Sequence, residues 1–226
     1  IIIGDLINQM PDDKVQEKFL FDLVNTIRNS RVNDRYFKKS IQSIKEEIGY
    51  INHIDTKKKL LVIGEPLVVY KDYMNNNKLK ELKKDFNIVM EPLSELLYVF
   101  FSDFSHKRNK INKKYKKSLI EVKKYIEYVN FILKDDSPFN KEIDSIKNIL
   151  KDKLQFYAGG SGRYRLGTIL TAENVDGILI MSSMYENTAS ILKILREKYK
   201  DNINVPVMDL YFDSNISNNT DELIET

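Results

Sequence analysis

Four short apolar segments alternate with helical segments along the chain, and this alternation limits the possible folds more than any other feature. The apolar segments lie at 59–64, 87–90, 177–182 and 205–210. Each is short and continuous, which is typical of strands that are buried on both faces of a sheet. Strands that alternate with helices form parallel sheets, because each helix carries the chain back to the starting edge. We therefore predict an α/β fold, with a parallel Rossmann-like sheet flanked by helices.

The segments between the strands suggest how the chain is organised. Two amphipathic helices are predicted over 12–49, within an N-terminal helical region of 1–56, and a first α/β half follows at 57–104. A long helical insertion is predicted at 105–156, before a second α/β half at 157–226. We expect both halves to form one compact unit. The chain opens without an initiator methionine, so we expect it to be a segment of a longer polypeptide.

The sequence contains no cysteine and only two histidines, His53 and His106. Without thiolates the chain itself offers no disulfide, no cysteine nucleophile and no ligands for an iron–sulfur cluster. Two histidines that lie far apart in sequence do not suggest a zinc or di-iron site. We therefore expect no metal and no cofactor in this chain.

Charge and hydropathy suggest where the protein resides. No apolar run approaches the roughly 20 residues that cross a bilayer, and no signal peptide is evident. The net charge of +3 is too small to indicate nucleic acid as a partner by itself. We expect a cytoplasmic protein that does not associate with membranes.

The glycine-rich segment "GGSGRYRLGT" (159–168) partly resembles a nucleotide-binding loop. Gly162 and Gly167 have part of the P-loop spacing, but no lysine precedes Thr168 and a helix, not a strand, is predicted before the loop. Two alternatives remain. The segment is either a glycine linker between two helices or an anion site formed by loop amides with Arg163 and Arg165.

Small and polar residues follow the predicted strands, at the edge where open α/β sheets bind ligands. Glu65 could bind a ligand there or lie in a tight turn with its carboxylate in solvent. Because no pair of base and nucleophile is evident, we expect the chain not to be catalytic on its own. The candidate ligand-binding residues are Gly64, Glu65, Asn75, Asn76, Gly160, Arg163, Arg165, Ser182, Ser183, Tyr185 and Asp213.

A lysine-rich helix at 107–117 raises the possibility of nucleic-acid binding, since Tyr115 lies among its basic residues. Such a run is more often the solvated face of an exposed helix. Tyr115 also falls on the apolar stripe of that helix, which favours the second interpretation.

Several ordered blocks resemble proteins related to 2-hydroxyacyl-CoA dehydratases and their activases. The first block runs from strand to helix over 60–100, and the later blocks cover the glycine segment and the third and fourth strands. The resemblance extends over most of the chain and implies the same α/β fold. The matching positions are Gly64, Glu65, Val68, Asn75, Asn76, Pro92, Glu95, Gly160 and Gly167.

The chain departs from that family where its redox chemistry resides. The family's cysteine after the third strand corresponds to Tyr185, followed here by Glu186, and its arginine after Gly-Glu corresponds to Val69. The family's tryptophan near Glu95 is Leu96. A phenol or carboxylate does not replace a thiolate at an iron–sulfur cluster. The resemblance thus implies the fold without the cluster.

Three hypotheses for function follow. The first is a divergent, cluster-free dehydratase-like domain that binds a ligand or docks a partner, such as an activase ATPase domain or a dehydratase-like subunit. The second is an acyl-CoA-binding component of a dehydratase and activase system, in which a CoA thioester or another anion is the ligand. The third is nucleic-acid binding through 107–117.

Overall fold

The computed structural model of the chain contains a four-stranded sheet with helices packed on both of its faces. It describes residues 1–10, 13–29, 33–52, 57–107, 113–140, 143–150, 153, 161–184 and 186–213. The helices in these ranges are α1 (Ile2–Ile7), α2 (Asp13–Arg28), α3 (Asp34–Asn52), α4 (Pro66–Tyr70), α5 (Lys78–Leu82), α6 (Leu93–Lys107), α7 (Lys113–Leu133), α8 (Ile143–Leu150), α9 (Ser161–Leu170) and α10 (Asn187–Lys198). The strands are β1 (Lys58–Gly64), β2 (Phe86–Met90), β3 (Gly177–Ser183) and β4 (Val207–Phe212), and short 3-10 helices cover Lys134–Asp136 and Lys200–Asn202.

The strand order is β2-β1-β3-β4, and every neighbouring pair is parallel. Leu61 of β1 aligns with Val89 of β2 on one side and with Ile178 of β3 on the other. After β1 the chain passes to β2 at one edge and then returns to β3 on the opposite side of β1. The strand order therefore reverses between β1 and β3, which is where open α/β sheets form a ligand crevice.

The two faces of the sheet support cores of different size, because successive side chains of a strand point to opposite faces. Leu61 and Ile63 of β1, with Ile178 and Ile180 of β3, join a large core with helices α1, α3 and α6 to α10. On the other face Val62 and its neighbours pack beneath α4 and α5 in a smaller core. The larger core contains the helices that surround the candidate site.

Helix α1 is fixed to the rest of the molecule by two polar side chains. The buried carboxylate of Asp5 accepts the backbone N–H groups of Leu93 (3.0 Å) and Ser94 (2.8 Å), together with the Ser94 hydroxyl (2.5 Å). These donors lie at the start of α6, so Asp5 acts as a cap supplied by another helix. Gln9 accepts the N–H of Met90 (2.7 Å) and donates to its carbonyl oxygen (3.1 Å).

The predicted parallel sheet flanked by helices is confirmed, with one displaced strand and two helices that were not predicted. The fourth strand, predicted at 205–210, begins at Val207. Pro206 has no N–H to donate to a ladder, although its carbonyl accepts the N–H of Ile178 (2.9 Å). The short helix α1 was not predicted. Helix α4, which was not predicted either, begins at Pro66 shortly after the first strand, with the proline in its first turn.

The predicted helical insertion is present as α7, a 3-10 turn and α8. Its buried side chains Ile126, Val129 and Ile146 belong to the same core as β1 and β3. The insertion is thus part of the support of the sheet and not a separate layer. Residues 108–112 of the basic run lie outside the described residues, and α7 begins after them at Lys113.

Candidate functional site

The ends of β1 and β3 meet as the sequence predicted, and Glu65 joins them. The Glu65 N–H donates to the carbonyl oxygen of Met181 (2.9 Å), and its carboxylate accepts the N–H of Ser183 (3.2 Å). Glu65 therefore crosses the crevice at the switch point and fixes the end of β3. Ser182 is buried at the same place, and Asp213 follows the end of β4 at this edge of the sheet.

Gly64 is required where β1 ends. Its φ of +146° lies in a region that residues with a side chain rarely adopt, and an added Cβ would collide with the backbone of Met181. The Gly64 N–H donates to Oε2 of Glu91 (3.2 Å), and its carbonyl oxygen accepts a hydrogen bond from Nη2 of Arg165. The backbone of Gly64 thus connects the crevice to a buried charged cluster, Glu91–Arg165–Glu186.

Arg165 is the centre of this cluster. It lies on α9 with 1% of its side chain exposed. Its Nε lies 3.6 Å from Oε2 of Glu91, and its Nη1 donates to Oε1 of Glu186 at 3.2 Å. Glu91 directly follows β2, and Glu186 immediately precedes α10. One guanidinium therefore holds together three parts of the fold and shares its charge between two carboxylates.

The cluster leaves several buried polar atoms without a hydrogen-bond partner. Among the residues that the structure describes, Oε2 of Glu91 has partners, whereas its Oε1 has none, and Oε2 of Glu186 also has none. The hydroxyl groups of Ser182 and Tyr164 are buried without a partner as well. Such atoms are infrequent in folded proteins, and each one requires an explanation such as an absent ligand or water.

Two of these atoms belong to residues that line a cavity of about 500 Å³. Glu91 and Tyr164 contribute to its wall, together with polar side chains of Asn140, Thr168 and Thr171. Apolar side chains form much of the remaining wall, and the exposed residues Lys134 and Glu173 lie towards the outside. The other lining residues are Lys59, Leu61, Val89, Pro92, Ser137, Pro138, Phe139, Ile149, Leu170, Ala172, Asn174 and Val175. The volume suits a small organic ligand.

Burial is the main cause of the shifted pKa values of the ionisable groups beside the cavity. Desolvation raises the pKa of the Glu91 carboxyl, and the positive charge of Arg165 opposes this shift. Desolvation also raises the pKa of Glu95 to about 7, although Asn140 donates its backbone N–H (3.1 Å) and its side-chain amide to that carboxylate. Burial, followed by the charges of Glu95 and Glu91, keeps the pKa of the Tyr164 phenol well above its ordinary value. Tyr164 is therefore a neutral donor and acceptor.

The remaining predicted residues lie in different surroundings. Asn75 is buried in the turn between α4 and α5, where its amide donates to the carbonyl oxygen of Val68 (2.9 Å), and Asn76 is exposed with a positive φ of 52°. Both shape the turn beside the smaller core. Arg163 is buried on α9. Gly160 and Tyr185 lie outside the described residues, as does His53.

Sequence reasoning missed the residues that give this site its chemistry. Glu91 follows β2 in the same way that Glu65 follows β1, so the position of a carboxylate directly after an apolar run was a usable signal. Tyr164 and Glu95 carried no such signal, because their spacing fits the apolar faces of α9 and α6.

The described residues contain neither a candidate metal site nor a candidate membrane-spanning helix. No three side chains of His, Cys, Asp or Glu lie together as a metal site would require in the part of the chain that the structure describes. Among the described helices, none combines the length and the apolar character needed to cross a bilayer. The expectation that this chain holds no metal and no cofactor is not tested by this finding and stays a prediction.

Comparisons with known proteins do not assign the chain to a family. No family model matches it, and neither a characterised protein nor a solved structure shows significant similarity to it. The resemblance to the dehydratase and activase proteins therefore stays a prediction. What can be argued about function rests on the sheet, the charged cluster and the cavity.

Proposed function

We propose that this chain is a ligand-binding α/β domain whose site is the cavity beside Glu91 and Tyr164. The observation that carries the proposal is that a cavity of about 500 Å³ is lined by Glu91 and Tyr164, each of which has a buried polar atom without a partner in the described part of the chain. A folded protein gains stability when such atoms are paired, so a ligand that pairs them binds with a specific orientation.

The position of the cavity supports this proposal. Glu91 reaches the switch point between β1 and β3 through the N–H of Gly64, and α9 and α10 are connected to the same point through Arg165. Occupation of the cavity is thus coupled to the ends of three strands. This arrangement suits a domain that passes on the presence of a ligand.

The proposal is tested by a thermal-shift screen of small metabolites that includes CoA, acyl-CoA thioesters and nucleotides, with each hit measured by calorimetry. The Ala172→Trp variant places a large side chain in the cavity wall and should remove binding. The matched control is Ile120→Trp, because Ile120 lies on α7 with 68% of its surface exposed. Thermal unfolding of both variants verifies that they are folded.

We expect hits that are lost in Ala172→Trp and retained in Ile120→Trp. Hits that bind both variants equally would place the site elsewhere and contradict the proposal. Binding of an acyl-CoA that depends on Ala172 would support the second hypothesis, the acyl-CoA-binding component. The anion site predicted at Arg163 and Arg165 has less support, because the charge of Arg165 is already matched by two carboxylates.

Partner docking is a second candidate, and one observation favours it. Helix α2 packs Val15, Phe19 and Leu23 against the large core, yet it leaves other large apolar side chains exposed. The exposed ones are Leu20, Phe21, Val24 and Ile27. Contiguous apolar surface of this kind is typical of protein contact sites. A Phe21→Asp variant that loses a partner while keeping its cavity ligand would separate the two functions.

The remaining predictions stand without further support. Nucleic-acid binding through 107–117 is tested by titration with DNA and RNA at increasing salt, since a phosphate-binding surface loses affinity as salt rises. Location in the cytoplasm and partnership with an activase ATPase domain are tested by fractionation and by co-purification from the native organism.

A further inference from the structure

The charges around Arg165 do not balance when both of its carboxylates are ionised. Glu91 and Glu186 share one guanidinium, so the buried Glu91 and Arg165 and the partly buried Glu186 together carry one excess negative charge. Isolated buried charge is costly, and proteins normally pair it. A positive group beside Glu91 would restore neutrality at this point of the fold.

The residues that carry the unpaired acceptors line the inner end of the cavity, and the acceptor atoms themselves are buried in its wall. Oε1 of Glu91 has no partner among the described residues, and Glu91 and Tyr164 line the same cavity with 3% and 1% of their surfaces exposed. The phenol oxygen of Tyr164 is a second acceptor. An ammonium group carries three N–H donors and a positive charge, and it has no acceptor that would be left unpaired.

The rest of the cavity suits an aliphatic chain. Leu61, Val89 and Leu170 contribute apolar wall between Glu91 and the outer end. In the sheet Lys59 aligns with Asn87, which is four residues before Glu91, so the cavity extends about 13 Å along β2 at about 3.3 Å per residue. A linear molecule with its polar head at Glu91 would lie along this wall.

We propose that the cavity binds a primary amine on an aliphatic chain, with the ammonium group donating to Glu91 and Tyr164 at the inner end. This inference rests on the proposed function and specifies its ligand class. Two sources share this chemistry, simple alkylamines and amino acids with a terminal amine. They differ at the outer end, where Lys59 and Lys134 line the cavity and could contact a carboxylate.

The inference is tested by calorimetry with four probes of one chain length: hexylamine, hexanol, hexanoate and 6-aminohexanoate. Hexylamine should bind at least about tenfold more tightly than hexanol, because a hydrogen bond to a charged group contributes about 1.5–3 kcal/mol. Hexanoate should bind most weakly. Tighter binding of 6-aminohexanoate than of hexylamine would identify amino acids as the source, and the reverse order would identify alkylamines.

Variants of Glu91 and Tyr164 test whether these two acceptors cause the preference for an amine. Glu91→Gln should lower the affinity for the preferred amine by about tenfold or more and leave hexanol nearly unchanged. Tyr164→Phe, which keeps the shape of the ring, should lower it by a smaller factor. Calorimetry with each variant measures the preference for the amine over hexanol. If one variant does not fold, the other still tests the inference.

The outcomes separate this inference from the proposed function. If hexanol or hexanoate binds as tightly as the amines, or if the amine preference survives in both variants, the inference is wrong. If no amine binds while another compound binds in a manner that depends on Ala172, the ligand class is wrong and the proposed function stands. If no compound loses its binding in the Ala172→Trp variant, the inference and the proposed function are both wrong.

Discussion

Two buried polar clusters lie at the large core of this protein, and they differ in how completely their atoms are paired. The cluster of Asp5, Gln9 and Ser94 fixes α1 to α6, and both carboxylate oxygens of Asp5 accept hydrogen bonds. In the cluster of Glu91, Arg165 and Glu186, one oxygen of each carboxylate has no partner within the described ranges. The hydrogen bonding of the Asp5 carboxylate is complete, whereas the hydrogen bonding of the Glu91 and Glu186 carboxylates is incomplete among the described residues.

The difference teaches how a buried polar residue can be assigned to structure or to ligand binding. A completely paired cluster has no capacity for another molecule, and its value lies in holding two helices in place. An incompletely paired cluster beside a cavity is less stable than it could be. Natural proteins keep such features mainly where a ligand, an ion or a water completes them. Four experiments test this distinction.

The largest effect is expected from Arg165→Met. This change removes the only cation that we find paired with Glu91 and Glu186 among the described residues, and it leaves two carboxylates buried together. The free energy of unfolding in urea should fall by about 3–5 kcal/mol. The exposed Arg35→Met is the matched control and should change stability by less than about 0.5 kcal/mol.

A double variant sharpens this prediction. Arg165→Met combined with Glu91→Gln removes one of the stranded charges, so its cost should be smaller than the sum of the two single costs. Additive costs would show that Arg165 and Glu91 are not energetically coupled, which contradicts the cluster as we describe it.

The second experiment concerns pH, and it involves Glu95, which lies between the two clusters. Its pKa is about 7 in the folded protein against an ordinary value of 4.5, chiefly because of burial and with smaller contributions from Glu91 and Asp5. Between these values the folded state retains a proton that the unfolded state has lost. Stability should therefore fall as pH rises from about 4.5 to 7, by up to about 3 kcal/mol, and level off above pH 7.

Urea unfolding across this pH range measures the slope, and Glu95→Gln should reduce it. Part of the slope should remain in the variant, because burial also raises the pKa values of Glu91 and Asp5 in the folded state. Stability that rises with pH through this window would show that Glu95 is ionised in the folded protein, contrary to our assignment.

A third, smaller effect is expected from Asp5→Ala, which removes the acceptor of three hydrogen bonds at the start of α6. The free energy of unfolding should fall by about 2 kcal/mol, because a capping residue and charge-assisted bonds are lost. Asp34→Ala is the control, since Asp34 forms an exposed pair with Lys38 (2.9 Å). Ligand affinity at the cavity should not change with Asp5, and a large change would mean that the two clusters are not separate.

The smallest effect distinguishes two tyrosines. The Tyr70 hydroxyl donates to the carbonyl oxygen of Glu91, whereas the Tyr164 hydroxyl has no partner. Tyr70→Phe should cost about 1 kcal/mol of stability, and Tyr164→Phe should be neutral or stabilising in the absence of ligand. Equal costs in calorimetric unfolding would indicate that the Tyr164 hydroxyl is paired, and the argument for a ligand at that atom would fail.

Much of the fold could be predicted from local patterns. The apolar segments that became β1, β2 and β3 were assigned within one or two residues, because a strand buried on both faces requires a continuous apolar run. Gly64 was correctly placed at the end of β1. Helix α4 was missed because proline suits both the end of a strand and the first turn of a helix, and only packing decides between them.

The candidate site was predicted only in part, for a physical reason. Sequence alone could place Glu65 and Ser183 near one edge, since parallel strands end on the same side of a sheet. It could not show that Arg165 would be buried and paired. A basic residue in a glycine-rich segment is usually exposed, and its surroundings depend on helices supplied by other parts of the chain.

What the sequence by itself determined is the class of fold: short apolar strands alternating with helices can bury their surfaces only as a layered parallel sheet. What only the tertiary structure decided is which polar groups meet. Arg165 contacts Gly64 across 101 residues of chain, and Glu91 reaches the same arginine from the end of a different strand. Hydrophobic periodicity is a local property that can be recognised from consecutive residues. The pairing of buried charges depends on strand order and helix packing, so it exists only once the chain has folded.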